Sequence, residues 1–461
     1  MPVCGNGKVE GDEACDDGDG SSPADACSAA CEITEFDIVK DPSVSNELPG
    51  IGTSGNDGKG YFVVWRYHGS ESDPNDDEIR GQAFQADGGK IGDVLALSTN
   101  AGPGPARIGT NKLGRSMVAW QSSSENNIVR YRVIEPDGTT AMTLNDKIDS
   151  KSVGFISVGA SETNDFALVW LQTTETPCCV STPTPNCGIP SIESCVCAMD
   201  PYCCSTAWDS LCVSEVDSLS CGATCTPVAY ARAFDKDGSS FLTSPVLLGN
   251  AANANDYPGV WGEKDGFIAS WNTPGGNLGS YKLKTDGTID PAVPLFNLAT
   301  GGTDLLPARN PFGAYVGPDQ QFIAVYEASL NNKYRITKHA FTAAGQSAES
   351  GVVVSSVNHE EQESRVARYE NGRYVVVWTD IEPDPADPTD TGQIMARVFK
   401  PDGIPLGPEF QVNQVKAGKQ HWPGVAVNAD GDAMFVWSNE EVPDKIRISA
   451  VIYPRLLVKD P

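Results

Sequence analysis

Histidine is scarce in this chain, with 4 among 461 residues, and its 14 cysteines leave most of the sequence free of sulfur chemistry. The histidines, His68, His339, His359 and His421, form no His-x-x-x-His pair, so the helical metal-site signature is absent. No G-x-S-x-G elbow is present, which removes one common nucleophile arrangement. No run of 18 apolar residues occurs, and the sequence therefore predicts no membrane span. Positive charge is also short. Lys and Arg total 33 against 61 Asp and Glu, giving a formal net charge of −28. Such a surface repels a phosphate backbone and anionic lipid, so nucleic acid and membrane surfaces are excluded as partners. Calcium, basic proteins and cationic polymers stay open. No signal peptide opens the chain although its cysteines call for export, so Met1-Pro2 is read as the start of a mature or shortened form.

The cysteines fall in two even clusters. Cys4, Cys15, Cys27 and Cys31 make the first. Cys178, Cys179, Cys187, Cys195, Cys197, Cys203, Cys204, Cys212, Cys221 and Cys225 make the second. Adjacent pairs such as Cys178-Cys179 and Cys203-Cys204 do not match the spacing of zinc ligands. Even, clustered cysteines with few histidines predict disulfide frameworks and an oxidising compartment, hence a secreted, extracellular or outer cell-surface protein. The pairing within each cluster stays open.

One pattern recurs seven times: a short apolar run ending in an aromatic. The runs end at Trp65, Trp120, Trp170, Trp271, Tyr326, Trp378 and Trp437, spaced 55, 50, 101, 55, 52 and 59 residues apart. The double gap holds the second cysteine cluster, and removing residues 173–227 shortens it to 46. A period near 50 with β-branched, aromatic composition predicts a propeller. Each run is apolar on both faces, as a blade strand sandwiched between neighbouring blades must be. Small-residue strands precede the runs after steps such as Pro49-Gly50, Pro258-Gly259 and Pro423-Gly424. Alternating strands follow them and end in Asp87-Gly88, Asp137-Gly138, Asp237-Gly238, Asp286-Gly287 or Asp402-Gly403 hairpin turns. The expected fold is all-β, a seven-bladed β-propeller over residues 33–461, with a small disulfide module at 1–32 and a cysteine-rich insertion at 173–227 between strands of blade 3. Phe36 to Val39 resembles Phe410 to Asn413, so the N-terminal segment is expected to supply the outer strand of the last blade. The rival is completion by Arg455 to Val458. The unit as a whole resembles secreted bacterial repeat proteins with GxFVVVW…AQxFDxDGxPxG…F units, a resemblance that speaks to fold.

Residues 4–32, CGNGKVEGDEACDDGDGSSPADACSAACE, resemble the Myxococcus cysteine-rich repeat, whose usual form is CGNGxxExGExCDDGNxxxGDGCSxxC. The resemblance implies a surface or secreted protein of an environmental bacterium. Here GDGC has become Ala24-Asp-Ala-Cys27, which alters a glycine turn. The clustered hard oxygens of Glu13, Asp16, Asp17, Asp19 and Asp25 make this stretch a candidate structural calcium site. The second cluster, with CVCAMDPYCCSTAWDSLC at its centre, resembles a CVCxxDPYCCxxxWDxxC module of secreted bacterial proteins. A short helix is expected there, with Trp208, Leu211, Cys212 and Val216 on one face.

With the four strands of each blade lettered A to D from the axis outward, the B–C and D–A connections share one rim of the ring, where the long, irregular segments fall. This face is expected to be acidic, and Asp76, Asp77, Glu360, Glu361, Asp380 and Trp422 are its candidate binding residues, with Glu363 close by. The tyrosines Tyr67 and Tyr257 join Trp422 as candidates to stack on a sugar ring. No catalytic residue is assigned, because no Asp-box of the sialidase kind and no spare thiol is present. The expected function is a binding or adhesion module for an extracellular protein or polysaccharide. The alternatives are a carbohydrate-active hydrolase or lyase, and a structural subunit of an extracellular assembly. Oligomeric state is not legible.

Overall fold

The structure, a computed structural model, describes residues 33–39, 45–55, 57–69, 77–98, 105–122, 128–138, 146–151, 155–172, 177–179, 181–222, 225–252, 256–299, 308–315, 321–349, 351–381, 392–442 and 445–454. Residues 1–32, and with them Cys4, Cys15, Cys27, Cys31 and the calcium candidates Glu13, Asp16, Asp17, Asp19 and Asp25, lie outside the described residues, as does Asp76.

Seven four-stranded antiparallel sheets form a closed ring. Strand β1 (Phe36–Val39) comes first. Blade 1 is β2 (Ser45–Ser54), β3 (Gly60–His68), β4 (Asp77–Phe84) and β5 (Lys90–Ser98). Blade 2 is β6 (Arg107–Thr110), β7 (Ser116–Ser122), β8 (Ile128–Ile134) and β9 (Asp146–Lys151). Blade 3 is β10 (Ile156–Ala160), β11 (Phe166–Gln172), β12 (Val228–Phe234) and β13 (Val246–Asn250). Blade 4 is β14 (Gly259–Glu263), β15 (Gly266–Asn272), β16 (Leu278–Lys284) and β17 (Phe296–Ala299). Blade 5 is β18 (Arg309–Tyr315), β19 (Phe322–Leu330), β20 (Lys333–Phe341) and β21 (Val352–Val353). Blade 6 is β22 (Glu361–Arg368), β23 (Tyr374–Asp380), β24 (Gln393–Phe399) and β25 (Phe410–Gln411). Blade 7 is β26 (Lys419–Val427), β27 (Ala433–Val442) and β28 (Lys445–Tyr453), completed by β1 against β28. The expected N-terminal closure is therefore the one observed.

The packing explains why the runs are apolar on both faces. Along β3, Tyr61, Val63 and Trp65 pack on blade 7, while Phe62 and Val64 pack on blade 2. The same alternation recurs in β23, where Tyr374, Val376 and Trp378 face blade 5, and Val375 and Val377 face blade 7. Each seam between consecutive blades holds one apolar cluster, and the seven anchors are buried in them. Inner strands run so close that side chains are costly there. A Cβ on Gly262 would fall 1.8 Å from the Ala160 carbonyl oxygen, and one on Gly259 2.2 Å from that of Pro311.

The cysteine-rich insertion leaves blade 3 after β11 and returns at β12. Its five disulfides pair Cys178–Cys187, Cys179–Cys225, Cys195–Cys221, Cys197–Cys204 and Cys203–Cys212. Three helices, α1 (Pro190–Cys197), α2 (Tyr202–Ser205) and α3 (Ser210–Ser218), surround a core of its own built on Trp208, Cys212 and Val216. Asp209 caps α3 by accepting from the amides of Leu211 and Cys212. Leu211 departs from expectation: it is 57% exposed, because the buried stripe steps by four through 208, 212 and 216.

The connections on the B–C side are less uniform than expected. Ser438 to Val442 belongs to β27, whose Val442 stands opposite Lys445 of β28, and β19 returns to β20 through Asn331-Asn332.

Candidate functional site: the B–C mouth of the central channel

The inner strands enclose a cavity of about 340 Å³, lined among others by Arg107, Phe312 and Arg365. At its B–C and D–A end, four consecutive blades carry the same irregularity. The ladder slips by one residue between Arg309 and Phe312, between Gln362 and Arg365, between His421 and Gly424, and between Glu47 and Gly50. Each bulge holds a residue in the left-handed region: Asn310 (φ 54°), Glu363 (φ 62°), Trp422 (φ 53°) and Leu48 (φ 58°). Asparagine tolerates this conformation, whereas Leu, Glu and Trp adopt it only under external constraint.

The constraint comes from the preceding blade. A bulge frees a backbone amide from the ladder, and a buried amide must find an acceptor. The Leu48 amide donates to Ser438 Oγ at 3.1 Å, that of Glu363 to Glu327 Oε1 at 2.7 Å, and that of Trp422 to Glu363 Oε2 at 2.6 Å. Ser438 and Glu327 each directly follow a strand anchor, Trp437 and Tyr326. Glu327 has no side-chain exposure and also accepts from Arg309 Nε at 2.6 Å and Asn310 Nδ2 at 2.8 Å. Nothing in the sequence reading singled out the residue after the anchor, although its position is fixed in every repeat.

The next register position forms one layer around the ring. Opposite the residue before each anchor stand Gly50, Arg107, Ser157, Gly259, Phe312, Arg365 and Gly424, in blade order. Four are glycine or serine, so the two arginines and Phe312 fill the layer. The Arg365 guanidinium lies 3.8 Å from the Phe312 ring centroid, and its Nη1 donates to the Ser364 carbonyl at 2.8 Å. Arg107 reaches toward Tyr257 of blade 4, 5.7 Å from its centroid, and Tyr257 stacks on Phe155 at 3.6 Å. Burial, with Arg107 nearby, pushes Arg365 down to about 9, and burial lowers Arg107 as well. Burial raises the Glu363 carboxyl, against the hydrogen bonds from the Trp422 amide and Thr379 Oγ1. Among the described residues, neither Arg107 nor Arg365 forms an ion pair.

The opposite end of the channel differs. A cavity of about 570 Å³ there is lined by Asp57, Lys112, Glu162, Arg368 and Glu370 among others, and Glu162 pairs with both Arg368, at 3.3 Å, and Lys112.

The described binding-face candidates Asp77, Glu360, Glu361, Asp380 and Trp422 lie at or next to strand ends on the B–C and D–A side, where several serve as internal ties. Asp77 is buried and bonds Arg66, with Nε at 3.0 Å, and His68. Glu361 is buried, accepting from the Ile336 amide at 2.9 Å beside Arg335 Nε at 3.4 Å. Glu360 accepts from the Tyr334 amide at 2.9 Å, and Asp380 pairs with His359 Nδ1 at 2.8 Å. Each acid sits at a strand end, where cations and unpaired amides of the adjoining strand are within reach, so the expected open acidic surface is partly folded inward. Trp422 stands at the mouth, its ring centroid 3.9 Å from that of His421. Tyr67 is covered by Arg80 at 3.3 Å.

No family model matches the sequence, and no curated relative is similar to it. Among solved structures, the chain is similar to a protein of unknown function from Dyadobacter fermentans, with 8% identity over 91% of this chain and 97% of that one and a TM-score of 0.48. It is also similar to hydrazine synthase of Kuenenia stuttgartiensis, with 9% identity over 89% and 97% and a TM-score of 0.44. A third is the α-L-arabinofuranosidase Arb93A of Fusarium graminearum, with 11% identity over 91% and 96% and a TM-score of 0.44. Likenesses this distant carry no information about the chemistry of the mouth.

Proposed function

We propose that the chain is a secreted or cell-surface binding module that takes an extracellular protein or polysaccharide at the B–C mouth of its channel. The observation that carries this reading is the convergence of four bulges on that one mouth, three of them strained and held by a side chain of the preceding blade. Strain of this kind persists where a rigid frame over-determines a surface for recognition. Ten paired cysteines support a site of action outside the reducing cytoplasm. Among the described residues, no helix is long and apolar enough to cross a membrane.

The test is a glycan and protein array probed with the full chain, with and without calcium, beside Trp422→Ala. Saturable binding without turnover, weakened at least about tenfold in the variant, is the expected outcome and corresponds to about 1.4 kcal/mol. Release of reducing sugar from a bound glycan would replace this reading with the hydrolase one.

A further inference from the structure

With a net charge of −28, carboxylates are abundant in this chain, yet two arginines in the channel are not paired with one among the described residues. Several other arginines among the described residues are matched: Arg66 with Glu47 and Asp77, Arg309 with Glu327, Arg335 with Glu361, Arg368 with Glu162. Arg107 and Arg365 stand at the same level of the ring, line one cavity, and make no ion pair among the described residues. Glu363 is near enough to act on both, yet its Oε2 accepts hydrogen bonds from the Trp422 amide and Thr379 Oγ1. A half-buried guanidinium without a counter-ion is costly, and two facing one cavity are costlier still. The cost is relieved when an anion enters, and a planar carboxylate matches the guanidinium fork.

We propose that Arg107 and Arg365 form a carboxylate subsite that takes an acidic sugar, a uronate residue carried by a largely neutral glycan. This deepens the binding reading above and rests on it. A sugar fits better than a bare ion because aromatic faces flank the charge: the Phe155–Tyr257 stack beside Arg107, and Trp422 bonded to the same Glu363. The cavity of about 340 Å³ lies within the range of small-ligand sites. The surrounding negative charge repels a polyanion, so the subsite selects sparse carboxylates over a polyuronate.

The experiment titrates a disaccharide ending in glucuronic acid, its methyl ester and the matching neutral glucose disaccharide calorimetrically into the full chain. A short peptide with a free C-terminal carboxylate forms a fourth arm. The acid is expected to bind at least about tenfold more tightly than ester, neutral sugar or peptide. Arg107→Gln and Arg365→Gln should each erase that preference, so that acid and ester bind alike. Arg365→Lys, which keeps charge and loses the fork, should fall between. Equal binding of acid and ester in the unaltered chain, survival of the preference in both Gln variants, or a preference for the peptide overturns the proposal. An array ligand bound at the mouth with no acid preference would sink the subsite and leave the binding reading standing. Absence of any array ligand would sink both. If Arg365→Gln lowers the thermal midpoint, Arg107→Gln decides, since the Arg107 guanidinium makes no hydrogen bond among the described residues.

Discussion

Leu48, Glu363 and Trp422 hold backbone conformations that their side chains disfavour, and the acceptors that hold them lie far off in sequence. Ser438 is 390 residues from the Leu48 amide that it caps. The Pro49-Gly50 and Pro423-Gly424 steps were legible as irregularities before an inner strand. The strained residue ahead of each was not, because its φ is set by a neighbouring blade. His421, next to Trp422, shows what this crowding does to a titratable group. It is buried, its Nε2 has no hydrogen-bond partner among the described residues, and burial, aided by Lys419, lowers it to about 3. The unfolded chain binds a proton at this residue below about 6.5, whereas the folded chain stays neutral until about 3. The unfolded state therefore holds more protons in that window, and stability is lost as pH falls through it. His421→Gln removes one titrating group from the balance. Urea midpoints between pH 7 and pH 4 should fall less steeply in the variant, by up to about 1.4 kcal/mol per pH unit. Parallel curves for the two chains would show that His421 is not the group responsible.

Strands were far easier to read than helices, and the reason is physical. A blade strand alternates between two apolar seams, so Tyr374 to Trp378 announces itself as an uninterrupted β-branched run. Helices α1 and α2 are too short for such a signal, since α1 buries only Ile192 and Val196 and α2 only Cys203. The pairing itself could not be deduced from spacing. Its geometry now makes a prediction about the insertion. The Cys179–Cys225 bridge closes a separation of 46 residues near the two points where the insertion leaves and rejoins blade 3. Loop-closure entropy assigns a bridge of that span about 4 kcal/mol. The insertion has its own core, separate from the blade seams. The double variant Cys179→Ser with Cys225→Ser should thus open residues 178–225 to limited proteolysis while the blades keep their thermal midpoint. A fall of the main transition by more than a few degrees would mean that the insertion braces the ring.

A propeller is stable as a ring only if its first and last blades are joined, and here the joint is short. Strand β1 has four residues, pairs with β28 from Phe36 opposite Ala450, and places Ile38 in the seam between blades 7 and 1. Glu35 adds two bonds, accepting from the amides of Gln414 at 2.8 Å and Val415 at 3.1 Å, and Lys90 Nζ donates to the Ile38 carbonyl at 3.0 Å. The likeness of Phe36 to Val39 with an outer strand made this closure legible, because an unmatched outer strand at one end implies a three-stranded blade at the other. Two shortened chains separate the joint from the cysteine module before it. A chain begun at residue 33 keeps β1 and should retain a single cooperative unfolding transition and remain monodisperse on removal of residues 1–32, if the full chain is so. A chain begun at residue 40 loses the buried Ile38 and bares the edge of β28. Its stability should drop by at least about 3 kcal/mol, the cost of a buried aliphatic side chain in a seam that cannot close around the gap. The bared strand should also pair with other copies, so light scattering should report self-association absent from the longer form. Equal stability and equal mass for the two shortened chains would mean that the inter-blade ties through Ser438 and the seam of Trp65 with Val436 hold the ring closed without the strand.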